Sequence, residues 1–268
     1  MSKKRVLFVT QEMNPYTTIS AISEKVRALA PHVQGGDFDI RVLMPKYGVI
    51  NERRHRLHEV VRLSGMNIIV DDDDFPLIIK VASLPGTRLQ VYFLDNEEFF
   101  KRKFIFNDAE EKPFDDNHER MVFFCKGVIE TVKKFGWPPD IVHCSGWFTS
   151  LVPLFLKKVY THDPVFENAK IVYSMHEENY SQHFSDRFIE IASINDLQPE
   201  DMAPYLEDGK VNLNQGATTY ADAIVKGSED MEAKDLSAWD DSEKPKLDFF
   251  AEEEFKKESL SFFKDLLN

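Results

Sequence analysis

The first fifty residues combine short apolar runs with a segment of helical spacing. Residues 5–11 and 38–45 are apolar and rich in β-forming side chains, which predicts two buried strands. Between them, apolar side chains recur at helical spacing over residues 17–29, which predicts a helix that Pro31 and the Gly35-Gly36 pair should end. A strand, a helix and a second strand in this order predict parallel strands joined by a right-handed crossover.

Three further strand-like runs follow, at residues 58–70, 76–84 and 89–95. The turns DDDD and PGTR separate them, so we predict a β-meander attached to the parallel core. The four aspartates of the first turn, residues 71–74, could bind a cation or could form an ordinary solvated turn.

The rest of the chain alternates between helical and strand-like patterns. Strands are predicted at residues 140–145, 169–176 and 222–228, and helices at 117–135, 147–160, 213–220, from about 229, and at 247–267. The predicted fold class is therefore α/β, a Rossmann-like parallel sheet flanked by helices with a β-meander insertion. We assign residues 1–237 to this domain and residues 238–268 to an acidic linker and a closing helix.

The closing helix has an apolar side that is too large to be left in water. Its members are Leu247, Phe250, Phe255, Phe262, Phe263, Leu266 and Leu267. Soluble monomers rarely expose a patch of that size, so we expect this helix to dock on the first domain. The alternative is a helix that projects outward and binds a partner or a second copy of the chain.

Composition narrows the class of partner. The 268 residues carry a net charge of −13, which makes nucleic acid and anionic membranes poor partners. Two cysteines are too few for a disulfide scaffold, and the first apolar run is too short for a signal peptide. We therefore expect a cytoplasmic protein that is not bound to a membrane.

Several kinds of site are excluded by spacing. The loop after the first strand, QEMNPYTTISAI, has no glycine, which excludes a dinucleotide fingerprint, and no P-loop motif occurs. His143 and Cys144 are neighbours on a strand and point to opposite faces, so they cannot act together as base and nucleophile. Cys144 is better explained as a buried apolar side chain. We predict no cofactor and no metal, although a cluster of His143, His176 and His183 stays conceivable.

His176 ends an apolar strand and precedes a polar loop. In an open α/β sheet the ligand crevice lies outside the carboxyl ends of the strands, so His176 is a candidate for ligand contact. A histidine that is hydrogen-bonded to neighbouring loop backbone would explain the same position, and the sequence leaves both alternatives open.

Seven segments share a family pattern in order across residues 4–231. They are VLFVTQEMNPY, DIRVLMPKYG, VYFLDNEEFFKR, DDNHERMVFFCKGVIE, PPDIVHCSGWFTSLVPLFLK, IVYSMHEENYSQHF and VNLNQGATTYADAIVKGSEDM. Together they resemble the N-terminal domain of bacterial glycogen and starch synthases, glycosyltransferase family five. Examples of the family's versions are VLFVASEVAPL, DVRVVLPRYG and PDVVHAHDWHTALVPLYLK.

The resemblance implies a set of site residues. His176 matches the family histidine that contacts the transferred sugar, which implies a catalytic role for it. The implied substrate-binding residues are His143, Trp147, Thr149, Glu177 and Tyr180. Of these, Glu177 stands where the family has Asn. The family's fold is the two-domain GT-B fold, and this chain corresponds to its N-terminal half.

The departures from the family concern the donor side. The family loop KTGGL, whose Lys and glycines face the sugar nucleotide, is TISAI here, with Thr18, Ser20 and Ala21 in place of the Lys and both glycines. Gly146 replaces the Asp of HDWHT. Transfer needs donor and acceptor held in line between both halves, so we expect the chain to be inactive alone. It would bind an α-glucan or a small sugar and need a separate donor domain, or it would be a non-catalytic glucan- or metabolite-binding partner of a true synthase.

Overall fold

This computed structural model describes residues 3–177, 184, 187–195 and 197–268, without the side chains of Ala233 and Lys234. Twelve strands occur in this part of the chain. The strands are β1 (Lys4–Thr10), β2 (Phe38–Pro45), β3 (His58–Glu59), β4 (Met66–Val70), β5 (Asp73–Ser83), β6 (Gln90–Asp95), β7 (Ile141–Ser145), β8 (Lys170–Met175), β9 (Leu206–Glu207), β10 (Lys210–Val211), β11 (Ala223–Lys226) and β12 (Lys246–Leu247).

The α-helices are α1 (Ile22–Gly35), α2 (Glu52–His55), α3 (Glu97–Phe100), α4 (Asn117–Phe135), α5 (Leu151–Leu154), α6 (Phe188–Ala192), α7 (Pro199–Met202), α8 (Leu213–Tyr220), α9 (Ala233–Asp240) and α10 (Glu252–Asp265). A 3₁₀-helix at Trp147–Thr149 precedes α5 and a π-helix at Phe155–Val159 follows it. The predicted helix over 147–160 is therefore three short helical pieces.

One sheet contains ten of these strands, in the order β12-β11-β8-β7-β1-β2-β6-β5-β3, with β4 also paired to β5. Every pairing from β12 to β6 is parallel, and β5 is antiparallel to β6, β3 and β4. The α/β class, the parallel core and the attached meander are thus confirmed. β9 and β10 form a separate hairpin.

The helices lie on opposite faces of the sheet because the chain runs outward from β1 in two directions. The crossover through α1 leads from β1 to β2, whereas those through α4, α5 and α8 lead the other way along the sheet order. Right-handed crossovers therefore place α1 on one face and α4, α5 and α8 on the other. The apolar residues of β1 between them, Val6 to Val9, are fully buried.

Helix α1 ends at the Gly35-Gly36 pair as predicted, but it differs from its prediction at its start and at Pro31. It begins at Ile22 rather than at residue 17, because side-chain hydrogen bonds described below hold residues 19 and 20 in a loop. It also continues through Pro31 to Gly35. Ala30 and Val33 on either side of Pro31 are completely buried, and their packing outweighs the backbone hydrogen bond that a proline removes.

The closing helix docks as expected, on the α1 face. The Phe263 ring of α10 is buried, with its centroid 6.2 Å from that of Phe8 and 5.4 Å from that of His143. Leu260 of α10 packs so closely on Gly36 at the end of α1 that a Cβ atom there would lie 2.5 Å from its methyl group. The predicted helix over 247–267 is shorter than expected, because Leu247 pairs with Val225 as part of β12.

Candidate functional site

The carboxyl ends of β1, β7, β8 and β11 meet at one edge of the sheet. Thr10 pairs with Ser145, Ser145 with Ser174, and Met175 with Lys226, so the four following loops lie side by side. The direction of the crossovers reverses between β1 and β7, and open α/β sheets place ligand crevices at such a switch point.

The loop between β1 and α1 is organised around the Glu12 carboxylate. Glu12 is completely buried and accepts hydrogen bonds from Ile19 N at 2.5 Å and from Ser20 N at 3.0 Å. The Ser20 hydroxyl also donates to Glu12 at 2.5 Å and accepts from Ile22 N at 3.2 Å. The backbone donors at the start of α1 are therefore already bonded within the chain, while Thr18 is exposed.

Burial and hydrogen bonding act on the Glu12 carboxyl in opposite directions. Burial is the larger effect and raises the pKa of Glu12, and the hydrogen bonds from Ser20, Ile19 and Gln11 oppose that rise. An anionic ligand at the same amides would have to displace this carboxylate or lie against it.

Gln11 fills the space beside the turn after β7. Its side-chain oxygen accepts from Phe148 N at 3.3 Å. Gly146 has φ +90°, and a Cβ atom there would lie 2.4 Å from the Gln11 amide carbon. The turn therefore requires glycine for its backbone conformation and for the position of Gln11.

His176 lies at the end of β8 and is buried, with 5% of its surface exposed. Its carbonyl oxygen accepts from Asn214 Nδ2 at 3.0 Å. The imidazole packs on Gly227, where a Cβ atom would lie 2.3 Å from the ring. Burial, with smaller contributions from nearby Lys25 and His143, lowers the pKa of His176 to about 3, so the ring is neutral at physiological pH.

Lys25 of α1 also points to this edge of the sheet. Its ammonium donates to the Gly227 carbonyl oxygen and lies 4.4 Å from the centroid of the Phe249 ring. Burial lowers the pKa of Lys25. We did not select this residue from the sequence, although a signal exists, because Lys25 interrupts the apolar stripe between Ile22 and Leu29.

His143 lies in the core rather than in the crevice. It is 2% exposed, its Nε2 lies 2.6 Å from Ser174 Oγ, and its ring meets those of Phe8 and Phe263 edge-on. Burial lowers the pKa of His143 to about 3. The His143 ring therefore has almost no exposed surface with which to contact a sugar, because α10 covers it.

Trp147 and Thr149, which the family pattern retains, are also buried. The Trp147 ring packs 4.7 Å from that of Phe106 and 5.6 Å from that of Phe184, measured between centroids. Thr149 Oγ1 donates to the Gly146 carbonyl oxygen at 2.8 Å and so fixes the turn. The structure gives both residues a packing role.

Of the other predicted site residues, Glu177 is exposed next to His176, and its backbone N–H donates to Ser228 Oγ at 3.3 Å. Tyr180 and His183 lie outside the described residues. Within the described part of the chain, no group of three or more His, Cys, Asp or Glu side chains could hold a metal ion. In that same part, every helix is too short or too polar to cross a membrane.

Comparison with known proteins identifies the family. The model of the starch synthase catalytic domain matches residues 5–237. The glycogen synthase of Chlorobium limicola is 35% identical over 227 residues, which are 84% of this chain and 45% of that protein. The glycogen synthase of Chlorobium chlorochromatii is 40% identical over 178 residues, 64% of this chain and 35% of that protein.

A solved structure supports the fold. The catalytic domain of starch synthase IV from Arabidopsis thaliana, bound to ADP and acarbose, superimposes with a TM-score of 0.69 at 19% identity, covering 84% of this chain and 45% of that one. The chain thus shares its fold with about half of that structure and spans about half the length of the curated relatives that it matches. On this evidence the chain belongs to the family of the starch synthase catalytic domain.

Proposed function

We propose that this chain is an acceptor-side, glucan-binding domain of glycogen or starch synthesis that does not by itself bind the sugar nucleotide or transfer glucose. One observation carries the proposal: the Ser20 hydroxyl, at a position where the family pattern has Gly, donates to Glu12 and accepts from Ile22 N. A phosphate-binding loop depends on free backbone donors and a nearby cation.

The donor side of the reaction would then belong to another polypeptide or to another domain. The chain's similarity to glycogen synthases supports a role in α-glucan metabolism. The carboxyl edge of the sheet, with neutral His176 beside exposed Glu177, is where we place the sugar. A neutral imidazole can donate one hydrogen bond and accept another, as recognition of sugar hydroxyl groups requires.

Calorimetry with ADP-glucose tests the donor half of the proposal. We expect no binding in the micromolar range for the unmodified chain, and no transfer of labelled glucose to glycogen. The variant T18K/S20G/A21G restores the family's loop, so a gain of binding in that variant alone would support our explanation. Micromolar binding of ADP-glucose by the unmodified chain would overturn it.

Binding to glycogen tests the acceptor half. We expect the chain to sediment with glycogen and to release it in the presence of maltooligosaccharides. H176A should weaken this binding by about five- to hundredfold, the value of one or two well-placed hydrogen bonds. H143A is the matched control, because the core position of His143 predicts a loss of stability with no direct loss of sugar contact. Equal glycogen binding by H176A and the unmodified chain would show that His176 does not contact the glucan.

A further inference from the structure

A second cavity lies outside the crevice, between α1 and the segment that runs from β12 into α10. Its volume is about 500 Å³. Three phenylalanines line it, Phe249, Phe250 and Phe255, and the small side chains of Ala21, Ala28 and Ala251 leave room beside them. The cavity is therefore large enough for a small organic molecule and has mostly apolar walls.

The ammonium group of Lys25, one of two lysines that line the cavity, lies beside its aromatic wall. Lys25 Nζ lies 4.4 Å from the centroid of the Phe249 ring and 5.7 Å from that of Phe255. The ammonium has three N–H donors, and Gly227 O accepts one of them. Aromatic rings stabilise a cation without consuming its donors, so Lys25 can still bond to an acceptor inside the cavity.

The charges at the mouth restrict what can enter. Glu24 and Glu252 line the cavity and are exposed, and Glu24 already accepts from Asn14. Lys256, the other lining cation, pairs with Glu253 at 2.6 Å. A ligand with two or more negative charges would meet repulsion from these carboxylates, whereas one charge can be neutralised by Lys25.

We infer that this cavity binds a small planar aromatic monoanion, such as an aryl carboxylate or sulfonate. Its acidic group would bond to Lys25, and its ring would pack against Phe249 and Phe255. Lys25 also bonds to the Gly227 carbonyl, and Gly227 supports the His176 imidazole, so the occupied cavity adjoins the proposed sugar site. The inference does not depend on the proposed function, because it concerns a separate set of lining residues.

Fluorescence titration with 8-anilinonaphthalene-1-sulfonate, an aromatic monoanion, provides the test on the full chain. We expect one saturable site of micromolar affinity, with near-ultraviolet circular dichroism unchanged. K25M should weaken binding by about ten- to hundredfold, since it removes a charge-assisted hydrogen bond. A28F keeps the charge and fills the cavity, and it should abolish the same site.

K257M is the matched control, because Lys257 is an exposed lysine of α10 beside the lining residue Lys256, and it should leave the affinity unchanged. The uncharged analogue N-phenyl-1-naphthylamine should bind at least tenfold more weakly than the sulfonate. Equal affinity in K25M, equal affinity of the uncharged analogue, or undiminished binding to A28F would each overturn the inference.

Discussion

The loops after β1 and β7 lie next to each other at one edge of the sheet, but their residues make different kinds of contact. After β7, the residues that the family pattern retains, Trp147 and Thr149, are packed into the core or fix a turn. After β1, the buried Glu12 and the changed residue Ser20 bond to each other and hold the loop. The retained residues of the first loop have packing and turn contacts, whereas the changed Ser20 of the second occupies a backbone donor.

This difference shows that sharing a residue with the family pattern does not by itself give that residue a role in a binding site. A residue type can persist because the fold needs its volume, as the ring contacts of Trp147 illustrate. A changed side chain can also take over a backbone donor that a ligand could use, as the Ser20 hydroxyl does with Ile22 N. Three predictions test whether the two loops differ in this way.

The largest effect should come from W147A. The ring is buried among Phe106, Phe148 and Phe184, and its removal leaves a cavity that costs about 3–5 kcal/mol of unfolding free energy. Urea denaturation measures the loss. W239A, which removes a partly exposed indole, should cost far less. A variant W147A that keeps its stability and loses glycogen binding would show that the loop after β7 is a binding site after all.

A smaller effect should appear in the pH dependence of stability. His143 has an ordinary pKa of about 6.5 when unfolded and one of about 3 when folded, so the unfolded state binds more protons between these values. The contribution of His143 to stability is fully present above pH 6.5 and is lost as the pH is lowered toward 3, at about 1.4 kcal/mol per pH unit. His176 should contribute in the same direction.

Thermal melting of H143Q between pH 4 and pH 7 checks this expectation, because the variant removes one titrating group and its slope should be shallower. H162Q, at an exposed histidine, should have the slope of the unmodified protein. Identical slopes for H143Q and the unmodified protein would show that His143 is accessible to protons in the folded state.

The smallest effect should come from T18K. Thr18 is exposed and belongs to no helix or strand, so we expect a change within about 0.5 kcal/mol in stability. Calorimetry should also show no gain in ADP binding, because the Ser20 hydroxyl still occupies Ile22 N. If this one lysine confers micromolar binding, the absence of a cation, and not the saturated amides, is what prevents nucleotide binding.

The sequence predicts most of the architecture because periodicity is a local property. The bounds of β2, α4 and α8 agree with prediction to the residue. In β2 and α4 the apolar pattern runs through the element, and Gly136 ends α4. The start of α1 does not agree, because it depends on a carboxylate at Glu12 that bonds to residue 20 across a loop. The spacing of hydrophobic residues does not predict that hydrogen bond.

The site is less predictable because it depends on distant parts of the chain. Alternation along β7 shows that His143 and Cys144 face opposite ways, but which one meets solvent depends on what covers each face. Phe263, far along the chain, covers His143. Likewise, Lys25 bonds to Gly227, a partner 202 residues away. Only the folded chain brings these groups together.

The docking of α10 has a consequence for synthesis on the ribosome. Translation proceeds from the N-terminal side at about 5–20 residues per second, and early segments begin to fold while later ones are still absent. Phe8 and His143 lie on the sheet face that Phe263 covers, so this apolar surface stays open until α10 emerges. During that interval, the nascent chain presents a surface that a chaperone such as a ribosome-bound holdase would recognise.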